Sequence, residues 1–213
     1  MRRETAVKIV GLFRKHLGRG FTIREISKLL KIGYRPAYNH IAELEKARAV
    51  TAAKVGSAKQ CSLNLASEQS RHLLQEVDLK RKEELYRKNR KLWAILEGII
   101  PRLTGRIAAS LHSIVLFGSH AKGTATPSSD IDLLFIVGDI KDRVVREKIE
   151  VECASYLHSH NVRISPLITD VGEFKKMLQS NEMNVGKEAA EHGIALYGSE
   201  QFWRFIAWKE QAS

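Results

Sequence analysis

The stretch that decides the fold is residues 111–137, LHSIVLFGSHAKGTATPSSDIDLLFIV. Leu111 to Phe117 read as a buried strand that stops at Gly118-Ser119, and Asp130-Ile131-Asp132 opens a second strand running through Leu133 to Val137. Alternate residues of a strand point to the same side, so Asp130 and Asp132 project together from one face. Two carboxylates placed in this way repel each other unless protonated or bridged by cations. A strand end beside a Gly-Ser turn suits a hard, oxygen-liganded cation such as Mg²⁺.

This pattern has the physical logic of metal-assisted phosphoryl transfer, in which cations neutralise a triphosphate, activate the attacking hydroxyl and stabilise the leaving pyrophosphate. Gly118 lets the backbone approach phosphates closely, Ser119 offers a hydroxyl and an amide, and Lys122 and Thr124 lie within reach of the same loop. The segment resembles the nucleotidyltransferases of the DNA polymerase β superfamily: strand, Gly-Ser, spacer, then Asp-x-Asp on the next strand. Gly118-Ser119, Ala121, Gly123, Ser129, Asp130 and Asp132 match, with ten residues between Ser119 and Asp130. Lys122 stands where many relatives have Arg. The resemblance implies a mixed sheet backed by helices and transfer of a nucleoside monophosphate from an NTP, with one or two Mg²⁺ ions. Asp130 and Asp132 would be the catalytic and metal-holding pair, and Gly118, Ser119, Lys122 and Ser129 the nucleotide-binding residues. Small prokaryotic members, some fused to winged helices, are the nearest in kind.

One part of the family pattern is missing. Active relatives supply a third carboxylate from a later strand, expected here at Asn161 to Ile168 after a helix over Lys141 to Leu157. The residues facing as the aspartates do would be Arg163 and Ser165, or else Val162 and Ile164, and none is acidic. Asp170 and Glu173 read as a capping box for a helix over Phe174 to Gln179. Catalysis would then rely on two carboxylates or borrow a base from His120 or Glu150. Otherwise it would be lost. His158 and His160 do not share a helical face and read as surface residues. The tail residues Ile194, Leu196, Tyr197, Phe202, Trp203, Phe205, Ile206 and Trp208 read as packing rather than as a base-stacking platform.

Upstream, the charge changes character. The 213 residues carry a net charge of +11, and residues 1–66 hold 14 basic against 4 acidic side chains, a net of +10. Residues 67–106 are at +4 and residues 107–213 at −3. An excess this local points to an anionic polymer as partner of the first third. Its pattern is a helix over Thr5 to His16, a Thr22–Glu25 capping box opening a helix to Lys31, and a Gly33 break. Pro36 then sits in the first turn of a further helix carrying Ala37, Ile41 and Leu44. A hairpin of Val50 to Val55 and Gln60 to Leu65 around Gly56-Ser57 completes a winged helix-turn-helix reading. The alternative is a small helical bundle that contacts protein. Double-stranded DNA would be met by Arg35, Tyr38, Asn39 and His40 of the recognition helix and by Lys54 and Lys59 of the wing.

Residues 67–107 read as a charged connecting helix ended by Pro101 and Gly105, with a coiled-coil dimer stem as the rival. The expected fold class is α+β: a winged helix at 1–66, the connecting helix at 67–107, and a nucleotidyltransferase domain at 108–213. No run of apolar residues reaches membrane-spanning length, and the N-terminus lacks a signal peptide's apolar core, so a cytoplasmic location is expected. Cys61 and Cys153 read as reduced, semi-buried thiols. Three functions fit this organisation. The first is a Mg²⁺-dependent nucleotidyltransferase with an unknown acceptor, tethered to a DNA-binding winged helix and open to homodimerisation. The second is a DNA-binding regulator whose nucleotidyltransferase domain only senses nucleotide. The third is an antitoxin-like enzyme that modifies a partner protein.

Overall fold

The structure, a computed structural model, describes residues 3–56 and 58–211, with side chains of the last helix described as far as Ala207. Ser57 at the expected hairpin tip lies outside the described residues, as does the side chain of Trp208. The chain divides into two compact units, Asp78–Lys209 and the remainder.

The first unit opens with α1 (Arg3–Arg14), whose Val7, Ile9, Val10 and Phe13 are buried. A two-residue strand β1 (Phe21–Thr22) leads into α2 (Ile23–Leu29) through the expected capping box: Glu25 N donates to Thr22 Oγ1 at 3.2 Å, and Thr22 N donates to Glu25 Oε2 at 2.7 Å. The helix ends two residues earlier than its apolar pattern suggests. Lys31 takes the left-handed turn at φ +53°, and Ser27 Oγ donates to Ile32 O at 2.7 Å to close it. Gly33 is therefore the cap of α3 (Tyr34–Lys46) rather than the breaker of α2. Helix α3 buries Ala37, Ile41 and Leu44. Strands β2 (Val50–Val55) and β3 (Ala58–Leu63) pair antiparallel from Val50↔Leu63 to Val55↔Ala58, two residues earlier on the second strand than expected. β1 adds to the other side of β3 through Phe21↔Cys61.

The expected single connecting helix is two helices, α4 (Glu68–Lys88) and α5 (Arg90–Ile107), divided at Asn89, whose side chain caps α5 by accepting from Leu92 N at 2.9 Å. Pro101 lies inside α5 instead of ending it. Proline costs a helix one amide, and here the deep burial of Leu96, Ile99 and Leu103 on the same helix outweighs that loss. A short 3₁₀ turn then leads into β4 (Leu111–Leu116).

The remaining elements are α6 (Gly118–Lys122), β5 (Ile131–Val137), α7 (Arg143–His160), β6 (Ile164–Asp170), α8 (Val171–Gln179), α9 (Val185–His192), β7 (Ile194–Tyr197) and α10 (Ser199–Gln211). The strand order is β6-β5-β4-β7, antiparallel except for the β5–β6 pair, which makes the sheet mixed. With the helices this is the expected α+β class. On one face, α5 presents Leu92, Ile95, Leu96, Ile99 and Leu103, and α7 presents Val145, Ile149, Cys153 and Tyr156, to Leu116, Leu133 and Phe135 of the sheet. Tail residues Phe202 and Trp203 are fully buried, as the packing reading required: Phe202 lies against Phe174 of α8, and Trp203 meets Phe202 edge to face. β6 forms one edge of the sheet and carries Pro166 midway along it. Both cysteines are buried, free thiols.

Candidate active site

Because β5 runs parallel to β6 and antiparallel to β4, the end of β4 and the starts of β5 and β6 meet at one end of the sheet. Phe117 N donates to Asp132 O at 3.0 Å, which holds the Gly-Ser segment against the first turn of β5. Gly118 adopts φ +67°, and a Cβ at this position would collide with Asp132 Oδ2. The glycine is thus required twice, by backbone conformation and by the carboxylate packed over it. The expected Gly-Ser turn continues as the short helix α6, which carries Ser119, His120 and Lys122 and ends at Gly123 in the left-handed conformation.

The two aspartates form one electrostatic group. Burial pushes the Asp132 carboxyl above the ordinary carboxylate range, the negative charges of Asp130 and Glu188 push it further, and His120 opposes them. Asp130 Oδ2 accepts a hydrogen bond from Ser165 Oγ at 3.2 Å and lies 3.6 Å from Arg163 Nε. Asp132 is paired in register with Ser165. Of the two possible facings of β6, the Arg163/Ser165 set is therefore the one beside the aspartates, and the position of the missing third acid holds a hydroxyl next to a guanidinium. Asp170 lies at the opposite end of β6, where it caps α8 by accepting from Glu173 N at 2.8 Å. Glu173 does not close a box; its carboxylate pairs with Lys176 at 2.9 Å. Glu150 pairs with Arg146 on α7. A cleft of about 230 Å³ opens beside Arg163, walled by Leu157, His158, Ile164 and Pro166.

Sequence reading missed Glu188. It sits in the first turn of α9, which packs beside α6, and its Oε1 lies 2.7 Å from Lys122 Nζ. Nothing in its local sequence marks it, because only the packing of α9 brings it to the site. Ser129 is occupied locally: its Oγ accepts from Thr126 N at 2.9 Å, closing the turn that delivers Asp130.

Two carboxylates side by side, one of them partly buried and held under its neighbour's negative charge, are a fitting donor pair for a divalent cation. Mg²⁺ commonly takes one or two protein carboxylates and completes its shell with water and substrate phosphates. Among the described residues no group of three or more His, Cys, Asp or Glu side chains forms a ready metal site. Asp130 and Asp132 would hold the ion, and triphosphate oxygens would have to supply further ligands.

In the first unit, Arg35, Tyr38 and Asn39 are exposed on α3. His40 is turned inward, with only 16% of its side chain exposed, and its Nδ1 lies 3.9 Å from Glu43. Lys54 and Lys59 face each other across the hairpin, but Lys59 Nζ is held by Glu45 at 2.6 Å.

Residues 106–192 match the family model described as nucleotidyltransferase domain. Two curated proteins of Methanocaldococcus jannaschii are similar. One, named "Putative protein adenylyltransferase MJ1305", is 33% identical over 78 residues, covering 36% of this chain and 53% of its own length. The other, "Putative protein adenylyltransferase MJ0141", is 27% identical over 84 residues, covering 39% of this chain and 77% of its own length. The match therefore spans about half of the first relative. Among solved structures, one described as a toxin-antitoxin with AMP-PNP aligns with a TM-score of 0.38 at 23% identity, over 55% of this chain and 84% of that chain. A mutant of the toxin-antitoxin MntA-HpeT aligns at 0.37 and 22% identity over the same shares. The family match alone supports nucleotidyl transfer, at the level of the family. Among the described residues, no helix is long and apolar enough to cross a membrane.

Proposed function

We propose that this chain is a Mg²⁺-dependent adenylyltransferase that moves AMP from ATP to a hydroxyl of a partner protein, and that its first unit is a winged helix that binds duplex DNA. The observation that carries the enzymatic part is the packing of the Asp132 carboxylate against a side-chain-free Gly118, with Asp130 alongside. The names of the two curated relatives support adenylyl as the group transferred and protein as the acceptor class. In the reaction the acceptor hydroxyl gives up its proton to bulk water as its oxygen bonds to the α-phosphorus, the bond from that phosphorus to the α,β-bridging oxygen breaks, and pyrophosphate leaves with that bond's electron pair. Bound Mg²⁺ supplies neutralisation of the phosphate charge. Asp130 and Asp132 hold that ion, and Gly118 and Ser119 admit the phosphates. Lys122 adds a cation at the same loop. Ser165 and Arg163 orient Asp130, and the acceptor enters by the cleft beside Arg163.

Incubating the full chain with α-phosphate-labelled ATP, Mg²⁺ and a host protein extract tests this. The expected result is label on a protein band together with released pyrophosphate, both lost in D130N/D132N. Label on nucleic acid only would overturn the protein-acceptor class, and failure of any triphosphate to bind would overturn the enzyme.

A second reading is favoured by Arg163 and Ser165 at the place of the third acid. In it the domain binds nucleotide without turnover and tunes DNA binding by the first unit. It predicts nucleotide-dependent DNA affinity with no pyrophosphate release.

A further inference from the structure

Arg81 belongs to α4, twenty-five residues before the family match begins at residue 106. Its guanidinium donates three hydrogen bonds to backbone carbonyls of two other helices' ends: Nη1 to Gly193 O at 2.6 Å, and Nη2 to His192 O at 2.7 Å and Ala121 O at 3.3 Å. The carbonyls in the last turn of a helix have no partner within it, and a cation there also meets the negative end of the helix dipole. Arg81 satisfies such carbonyls on α6 and on α9 at once, and only a planar fork of donors can do so from one side chain.

Those two helices are the ones that matter at the site. Ala121 is flanked by Lys122 and lies two residues after Ser119. His192 lies one turn beyond Glu188, whose carboxylate holds Lys122. The position behind Arg81 is also unforgiving: a Cβ on Gly193 would strike Ala189 O and Val115 Cγ1. Leu116, the last residue of β4, pairs with Ile194, so the same corner fixes the strand that delivers Gly118.

We infer that Arg81 is a positioning residue of the nucleotide site: it fixes the spacing of α6 and α9, and through them the Gly118–Ser119 segment and the Lys122–Glu188 pair. The functional nucleotidyltransferase body accordingly begins within α4, before the family boundary. This rests on reading the Gly118–Asp132 corner as a nucleotide site.

The test uses the full chain with Arg81→Met and Arg81→Lys, read by amide hydrogen exchange without ligand and by calorimetry with Mg²⁺-ATP. Arg81→Met is expected to speed exchange in residues 118–124 and 186–194 alone and to weaken Mg²⁺-ATP about tenfold, as loss of a charged hydrogen-bond set predicts. Arg81→Lys keeps the charge without the fork, so it should recover part of the affinity and part of the protection. Wild-type affinity and exchange in either variant would overturn the inference. So would faster exchange spread evenly over the unit, with affinity falling only as the folded fraction falls. If Arg81→Met does not fold, Arg81→Lys decides on the same criteria. If the wild type binds no Mg²⁺-ATP, the nucleotide reading fails, and the exchange pattern still reports whether Arg81 sets the two helices.

Discussion

The side chain that Gly118 lacks would occupy the space of Asp132 Oδ2. A residue at the end of one strand and a residue at the start of its neighbour are therefore fitted to each other, and each fixes what the other can be.

Gly118→Ala should damage the site more than any other single methyl group. It places an L side chain at φ +67° and pushes it into a carboxylate. The left-handed conformation alone costs about 1–2 kcal/mol. Denaturant melts should show at least that loss. Calorimetry should show Mg²⁺-ATP affinity falling by more than about tenfold, equivalent to roughly 1.4 kcal/mol.

Asp132 should trade stability for function in a pH-dependent way. Its folded-state proton affinity lies above that of an ordinary carboxyl, chiefly through burial and then through Asp130 and Glu188. Over the interval between the two values the folded protein holds a proton that the unfolded chain has released, so stability falls as pH rises through it. Asp132→Asn removes that loss. In chelator it should melt above wild type at neutral pH, with the difference vanishing in acid below the ordinary carboxylate range, while Mg²⁺-ATP binding is abolished. A variant that melts below wild type at neutral pH would contradict this.

Ser165→Asp should make stability depend on Mg²⁺. It replaces the donor to Asp130 with a third carboxylate beside the pair. Like charges this close destabilise the metal-free protein, and a divalent cation relieves them. Thermal melts should show the variant below wild type in chelator and recovering with Mg²⁺, where wild type responds less. Equal responses would show that the β6 position does not face the ion.

On the hairpin, the two facing lysines should differ. Lys59 is held by Glu45, so its removal should change DNA affinity little. Lys54→Ala should lower the slope of log affinity against log salt by about 0.9, the value for one phosphate contact. His40→Ala should leave the slope unchanged, since that ring is turned inward. Equal slopes for wild type and Lys54→Ala would remove Lys54 from the interface.

The features legible in sequence were those written in neighbouring residues. The strand, Gly-Ser, Asp-x-Asp order pointed to the corner where Gly118 and Asp132 meet, and Thr22 with Glu25 marked the start of α2. Periodicity also identified the buried face of α3. Contacts made by packing were hidden. Glu188 reaches Lys122 only because α9 lies against α6, and Arg81 reaches Ala121 and His192 only through tertiary placement, and no spacing along the chain encodes either. The facing of β6 was open between two phases until the register Asp132↔Ser165 selected one. Proline and glycine misled where tertiary burial overrode them: α5 continues through Pro101, and Lys31 rather than Gly33 takes the left-handed turn.

Pro166 has a consequence for how copies of this domain can meet. A sheet edge recruits another chain by offering an unbroken row of amides and carbonyls. On β6 that row is interrupted halfway, because proline has no amide to donate. An incoming strand would find a gap beside Pro166, and continuous pairing across the seven residues of β6 is blocked. Crowded copies are thereby discouraged from zipping together along the edge that carries Ser165, which leaves the cleft beside Arg163 uncovered.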